Sequence, residues 1–377
     1  MVKRKKDVYK VGISGSYGGF NIGDEAILHV MIRELKNVLP VEITVFSKNV
    51  EHTKRQHSVE KVVPVRKLAK NEIVQELEDQ DLFILGGGGI LYDRDAEIYL
   101  READIAISKK IPTMVCAVGA GPLETFDAKL AIRDVLNKVQ AITVRDSWTK
   151  ILLQRAGVEK DIKVTADPAF LIEPEEFTDE MLQQEAVPPD KHIVGFSVRE
   201  PGPAAPNLTP TEYHTLLANA ADFVIERLDA NVLFIPMEWY DLQHSHAVIS
   251  KMKRLKRAFI LRGEYTSTQI AGLMKRLDLA VGMRLHFLTL AAIAYTPIVP
   301  IPYAEKVEGF LELLEIPSIG IEKWGIGQLL AFIDRDWDLR NELRKKLKRK
   351  LPEIQERAKI NTKIAYSLLT GHHYDVG

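Results

Sequence analysis

The stretch GMRLHF, Gly282 to Phe287, places a guanidinium and an imidazole two positions apart, at Arg284 and His286. A guanidinium offers paired N–H donors to phosphate or carboxylate, and an imidazole, whose unperturbed pKa is about 6.5, can give or take a proton near neutral pH. The apolar run Leu277 to Val281 precedes the pair and the apolar run Phe287 to Tyr295 follows it. Both residues, with Leu285 between them, therefore fall at a strand-to-helix junction. Three further cations follow β-branched runs in the same way: Arg145 after Ala141 to Val144, Arg199 after His192 to Val198, and Lys306 after Pro297 to Ile301. Any one alone is an ordinary surface charge. Together, at strand ends, they describe an interdomain cleft suited to a small, multiply charged anion.

Glycine marks a second group of strand ends. GSYGGFNIGDEAI carries Gly15, Gly18, Gly19 and Gly23; Gly86 to Gly89 follow Asp81 to Leu85; Gly119, Ala120, Gly121 and Pro122 follow Ile111 to Val118. Loops without Cβ atoms can bring backbone N–H groups to a phosphate or sugar, with the positive end of a helix behind them. The first loop has neither GxGxxG spacing nor the Gly-Lys-Ser/Thr of a P-loop. Asp24 stands where an anion would meet the helix N-terminus, so this loop suits hydroxyl groups, with Asn21 alongside. The competing reading makes the glycines simple turns and Asp24 an N-cap. The clustered Cys/His spacing of a metal site is absent, and His244 with His246 reads as a solvated loop pair.

The elements needed to hold these residues are legible. Val8 to Ser14, Val41 to Ser47, Lys61 to Val65, Asp81 to Leu85, Ile111 to Val118 and Ala141 to Val144 read as strands. Helical patterns such as Glu25 to Val38 lie between them. That alternation predicts a doubly wound parallel α/β domain, whose ligands bind outside the carboxyl ends of its strands. It restarts at His192 and continues through Asn231 to Pro236, Ala258 to Leu261, Leu277 to Val281 and Pro297 to Ile301. The expected organisation is a first domain over 1–172, an acidic and proline-rich linker over 173–190, a second domain over 191–334 and a helical tail over 335–377.

Composition sets outer bounds. Of 377 residues, 51 are Lys or Arg and 52 are Asp or Glu, a net charge of −1 that argues against a dedicated nucleic-acid binder. The single cysteine, Cys116, excludes an intramolecular disulfide framework and fits a reducing cytosol. MVKRKK runs into Asp7 with no cleavable apolar region behind it, and Phe287 to Tyr303 is too short and too rich in proline to span a bilayer. The expected location is cytoplasmic.

The motifs GSYGGFNIGDEAI, DLFILGGGGILYD, AVGAGPL, AITVRDSWTKILLQRAGV, TADPAFLI and VGMRLHFLTLAAIAYTPIVPIPYAEKVEGFLELL, in this order over roughly residues 8–315, resemble the polysaccharide pyruvyl transferases, including the CsaB-type enzymes of cell-wall polysaccharide assembly. The resemblance implies a GT-B-like fold of two facing Rossmann-like domains. It also implies transfer of a pyruvyl group from phosphoenolpyruvate to two hydroxyls of a sugar, giving a cyclic ketal, with no resident cofactor or metal. On that basis Arg284, His286, Arg145 and Lys306, with the Leu285 backbone, bind the donor, and Arg199 joins them by position. His286 is the general acid, Arg284 stabilises the departing phosphate, and Asp24 with Asn21, Gly19, Gly87 and Gly88 faces the acceptor.

If the acceptor is a lipid-linked saccharide, the basic clusters Lys3 to Lys6, Lys251 to Arg257 and Arg344 to Lys350 could hold the enzyme peripherally at the inner face of an anionic membrane. Two alternatives stay open. A GT-B glycosyltransferase using a nucleotide-sugar would share the fold and a glycine-rich first loop, and a non-catalytic saccharide-binding protein would share the fold alone.

Overall fold

The computed structural model describes residues 6–65, 67–200, 208–301, 305–316 and 325–372. Its first sheet holds β1 (Tyr9–Ser14), β2 (Val41–Ser47), β3 (Lys61–Pro64), β4 (Leu82–Leu91), β5 (Thr113–Ala120), β6 (Ala141–Val144) and β7 (Ile162–Val164), in the order β3-β2-β1-β4-β5-β6-β7. The second holds β8 (Ile193–Ser197), β9 (Asn231–Phe234), β10 (Ala258–Ile260), β11 (Leu279–Gly282) and β12 (Ile298–Pro300), in the order β10-β9-β8-β11-β12. All pairings are parallel. Central strands such as β8 are buried at every position, as a parallel sheet covered on both faces requires. The strand order reverses between β1 and β4 and between β8 and β11, so each sheet has one switch point where a crevice opens.

The chain forms two compact units, Met1–Leu171 with Ile354–Gly377, and Ile172–Glu353. The first packs Ile13, Ile27, Leu28, Phe46 and Phe83 around its sheet, and the second packs Phe196, Phe234 and Phe287 around its own.

Four features differ from expectation. Gly86 to Gly89 do not form a loop: β4 runs through them to Leu91, pairing Gly86 with Cys116, Gly88 with Val118 and Gly89 with Gly119. The missing side chains let the helix Ile22–Val38 approach, since a Cβ on Gly86 would lie 2.6 Å from Met31 Cε and one on Gly87 2.1 Å from Ile27 Cγ2. A short strand, β7, was not expected.

The segment 173–190 is no free linker. It buries Phe177 and Leu182, forms the helix Asp179–Gln184, and hydrogen-bonds Glu175 N–H to the Thr268 carbonyl at 3.1 Å. Glu185 accepts from the Arg262 and Gly263 amides and the Tyr265 hydroxyl at 2.7 to 2.9 Å, so the acidic composition serves packing within the second unit. The tail is likewise divided. The helix Ile326–Asp338 belongs to the second unit, and the helix Arg340–Thr370, with Pro352 inside it, passes from the second unit to the first at Ile354.

Candidate active site

In the second unit, β8 ends before Arg199 and Glu200, and β11 ends before Arg284, with Ser197 and Gly282 paired across the switch point. Arg284 is the N-cap of the helix Leu285–Ile293, and its side chain makes no capping hydrogen bond. A helix N-terminus beside a guanidinium is a favourable place for an anion. Leu285 opens the helix, and His286, at its second position, is half-buried.

Carboxylates hold Arg284. Its Nε lies 3.1 Å from Asp241 Oδ2 and its Nη2 2.5 Å from Asp241 Oδ1; Nη2 also pairs with Glu238 and approaches Glu200 at 3.6 Å. Glu238 and Asp241 come from the start of the helix Trp239–Ile249 behind β9. Asp241 is fully buried and accepts the Met237 amide at 3.1 Å. Burial pushes its carboxyl above the ordinary value, against the pull of Arg284. Burial also raises Glu200, but its hydrogen bond to Arg199 and the charges of Arg199 and Arg284 prevail and hold it low. The three acids present oxygens within 4.8 Å of one another, a spacing that suits a divalent cation, and the Arg284 guanidinium supplies the positive charge among them. Arg199 pairs with its neighbour Glu200. Lys306 lies in the helix Glu305–Leu313, but its side chain falls outside the described residues.

His244 and His246 are not a loop pair. Both lie on the helix Trp239–Ile249, where His246 is exposed and the half-buried His244 places Nδ1 3.1 Å from His214 Nε2. Burial lowers both rings below their usual pKa; each is lowered further by neighbouring positive charge, including Arg284 and Arg199 beside His244, whereas Glu200 acts in the opposite sense there.

In the first unit, Asn21 rather than Asp24 caps the helix Ile22–Val38, accepting from the Gly23 and Asp24 amides at 3.0 and 3.3 Å. The Asp24 carboxylate lies against Gly88: a Cβ there would sit 2.9 Å from Oδ1. Gly88 and Gly87 have φ of +81° and +59°, conformations natural to glycine. Gly19 is exposed on the loop before the cap. Glu25 fastens that loop from below, accepting the Gly18 amide at 2.8 Å while His57 Nε2 lies 2.8 Å from its other oxygen.

Arg145, directly after β6, is 7% exposed and pairs through Nη1 with Asp167 Oδ2 at 3.1 Å. Its guanidinium lies flat on Gly119, where a Cβ would fall 2.7 Å from Nη2, and close to Gly89. The structure thus brings Asp24, Gly87 and Gly88 together at the first sheet's carboxyl edge, with Arg145 after β6, two strands from β4, and gathers Arg199 and Arg284 at the second's.

Glu200, Glu238, Asp241, Asp167 and Lys48 were missed by the sequence reading. Lys48 follows β2 and donates to Ser16 Oγ at 3.1 Å, so the rule that found the other cations applies to it as well. Asp167 lies within the TADPAFLI motif, but with β7 unrecognised its place beside Arg145 was not legible.

Two Rossmann-like parallel sheets with charged groups at their switch points define an α/β enzyme of the GT-B-like class. The family model of polysaccharide pyruvyl transferases matches residues 21–305, and the chain belongs to that family. The amylovoran biosynthesis protein AmsJ of Erwinia amylovora is 21% identical over 302 residues, covering 75% of this chain and 73% of AmsJ. Among solved structures, Anabaena HepE in complex with UDP-glucose matches with a TM-score of 0.61 at 14% identity, over 95% of this chain and 99% of HepE. S. aureus MnaA, in its UDP co-structure, matches with a TM-score of 0.67 at 11% identity, over 98% and 100%. These likenesses show the fold.

Proposed function

We propose that the protein transfers the pyruvyl group of phosphoenolpyruvate to two hydroxyls of a saccharide, forming a cyclic ketal and releasing phosphate, in the assembly of a cell-surface polysaccharide on a lipid-linked precursor. The observation that carries the donor assignment is Arg284 at the N-terminus of the helix Leu285–Ile293, at the second sheet's switch point. Phosphoenolpyruvate bears a phosphate and a carboxylate on one carbon, and it needs several cations and amides in a small space. Arg284, the Leu285 amide, His286, Arg199, Arg145 and Lys306 are the proposed donor ligands. Asp24, Asn21, Gly19, Gly87 and Gly88 are the proposed acceptor side.

In the proposed reaction one sugar hydroxyl adds to the enol carbon as His286 protonates the methylene carbon, and Asp24 takes the hydroxyl proton. The second hydroxyl then displaces phosphate, its proton passing to the now neutral His286 and the charge of the departing phosphate being stabilised by Arg284. This is acid–base and substitution chemistry, and no resident cofactor or metal is assigned.

Calorimetric titration with phosphoenolpyruvate and with UDP-sugars, on the wild type, Arg284→Ala and His286→Ala, tests the donor. Arg284→Ala should weaken phosphoenolpyruvate binding by about 1.5 to 3 kcal/mol, the range for a hydrogen bond to a charged group. A second reading, a nucleotide-sugar substrate, draws on the UDP-containing structures of the same fold. Tight UDP-sugar binding with no response to phosphoenolpyruvate would replace the first reading with the second.

A cytoplasmic enzyme acting on a lipid-linked acceptor would work at the inner face of the membrane. No described helix is long and apolar enough to cross a membrane. The basic clusters are partly engaged within the fold: Arg254 pairs with Glu226 at 2.7 Å, Arg257 with Asp229 at 2.5 Å, and Lys350 with Glu315. Peripheral contact thus falls to the remaining lysines, and co-sedimentation with anionic vesicles at low and high salt checks it.

A further inference from the structure

The helix Arg340–Thr370 lies outside the residues matched by the family model, yet its second half sends three polar side chains to the segment after β7. Gln355 donates to the Phe170 carbonyl at 3.1 Å and Arg357 to the Thr165 carbonyl at 2.9 Å. Asn361 is the buried one, at 4% exposure. Its Oδ1 accepts from Thr143 Oγ1 at 2.7 Å and Thr165 Oγ1 at 2.9 Å; its Nδ2 donates to the Ala166 carbonyl at 3.0 Å and the Ala358 carbonyl at 2.9 Å. A carboxamide has two donors and two acceptor sites, and all four are used.

Three of those bonds converge on one ion pair. Thr143 stands two residues before Arg145, and Thr165 and Ala166 stand directly before Asp167, its partner at 3.1 Å. Thr143 Oγ1 also accepts the Ala117 amide at 2.7 Å. Ala117 is a buried alanine with φ of +48°, at the place where the register of β5 on β6 slips between Val115 and Val118. Two residues later comes Gly119, the surface on which the Arg145 guanidinium lies. One amide therefore ties together the strand that presents Arg145, the segment that holds its carboxylate partner and the bulge that supports its face. A buried carboxamide with all four of its hydrogen-bonding positions used holds its surroundings in a single geometry, while Arg145 Nε, buried without a hydrogen-bond partner, depends on that frame and on the Asp167 ion pair for its orientation.

We propose that Asn361 is a positioning residue for Arg145, setting the orientation of the guanidinium without touching substrate. The consequence for donor binding rests on the reading of Arg145 as a donor ligand; the positioning itself does not. Small misplacements of a binding group cost affinity and rate out of proportion to their size.

The test uses full-length wild type, Asn361→Asp, Thr165→Val and Arg145→Ala. Asn361→Asp keeps the shape and loses the donors, and Thr165→Val removes a single hydroxyl, so a folded comparison survives if the first variant unfolds. The first readout is the Arg145 Nε–H resonance and its exchange with water, assigned by its loss in Arg145→Ala. The second is phosphoenolpyruvate affinity by calorimetry. Both network variants should shift the resonance and speed its exchange, and weaken phosphoenolpyruvate by about tenfold with KM for the acceptor unchanged. An unmoved resonance in the folded variants overturns the proposal. So does normal donor affinity in both variants beside a weakened Arg145→Ala. If the resonance moves and even Arg145→Ala binds phosphoenolpyruvate normally, the positioning stands and the donor role of Arg145 falls.

Discussion

A methyl group at Gly119 would lie 2.7 Å from Arg145 Nη2 and 2.9 Å from its Cζ and Nε. The obstructed atoms are the far end of a flexible side chain, so the fold can accept Gly119→Ala by letting the guanidinium rise. Melting temperature should change by only a few degrees, as for a substitution costing about 1 kcal/mol, while phosphoenolpyruvate affinity falls as it does in Arg145→Ala. Unchanged affinity on calorimetry would remove Arg145 from the donor site. Asp241 gives a pH-dependent expectation. Burial raises its carboxyl, so its ionisation opposes folding: the full stability is present below the ordinary value of 3.8 and declines as pH rises through the folded-state value. Asp241→Asn has no such term. The melting temperature of the variant minus that of wild type should therefore increase with pH across this window, and a flat difference would refute the assignment. Strand-end position made Arg145, Arg199 and Arg284 legible in the sequence, because a cation after a β-branched run stands out. Their acids did not stand out. Asp241 meets Arg284 across 43 residues only because β9 and β11 flank β8, and no local pattern records that adjacency.

The helix Ile22–Val38 sits over β4 because glycine leaves room for it. Gly87 has φ of +59°, and a Cβ there would meet Ile27 Cγ2 at 2.1 Å, so Gly87→Ala combines backbone strain with displacement of the helix. It should cost about 3 kcal/mol or more in urea unfolding. Asn21→Ala removes only the cap and should cost about 1 kcal/mol, with the loop at Gly19 loosened. Equal costs would mean that helix packing on β4 is not the tighter constraint. The periodicity of this helix was readable, and its boundary was set three residues late because Ile22 and Gly23 look like loop. The four glycines of β4 were misread for a related reason. Glycine has little intrinsic strand preference, and what holds Gly86 to Gly89 within β4, with Gly87 and Gly88 at positive φ, is the ladder to β5, a tertiary effect.

At the scale of the whole chain, the division into two α/β units followed from the restart of alternation near His192, and the charged tail read as a terminal helix pair across one or both domains, without showing which part serves which. An amphipathic pattern states that one face is covered without saying by which sheet, and the 31-residue helix Arg340–Thr370 serves both units in turn. Its first part buries Leu347 and Leu351 with the second unit; its later part buries Ile354, Ala358, Ala365 and Leu369 with the first. Ending the chain after Glu353 would strip those four apolar side chains from the first unit, together with the Gln355, Arg357 and Asn361 hydrogen bonds. Each large aliphatic contributes about 1.5 to 3 kcal/mol by burial, and the apolar surface left behind would be opened to water along with the polar groups the helix satisfied. The loss is comparable with the whole stability of a domain, about 5 to 15 kcal/mol. Hydrogen exchange read by mass spectrometry should then show protection lost over β6, β7 and the segment through Leu171, while β8, β9 and β11 of the second unit keep theirs. Wild-type protection of β6 and β7 in the shortened chain would show that the first sheet holds without this helix, and that the network around Asn361 is an addition to a self-sufficient unit.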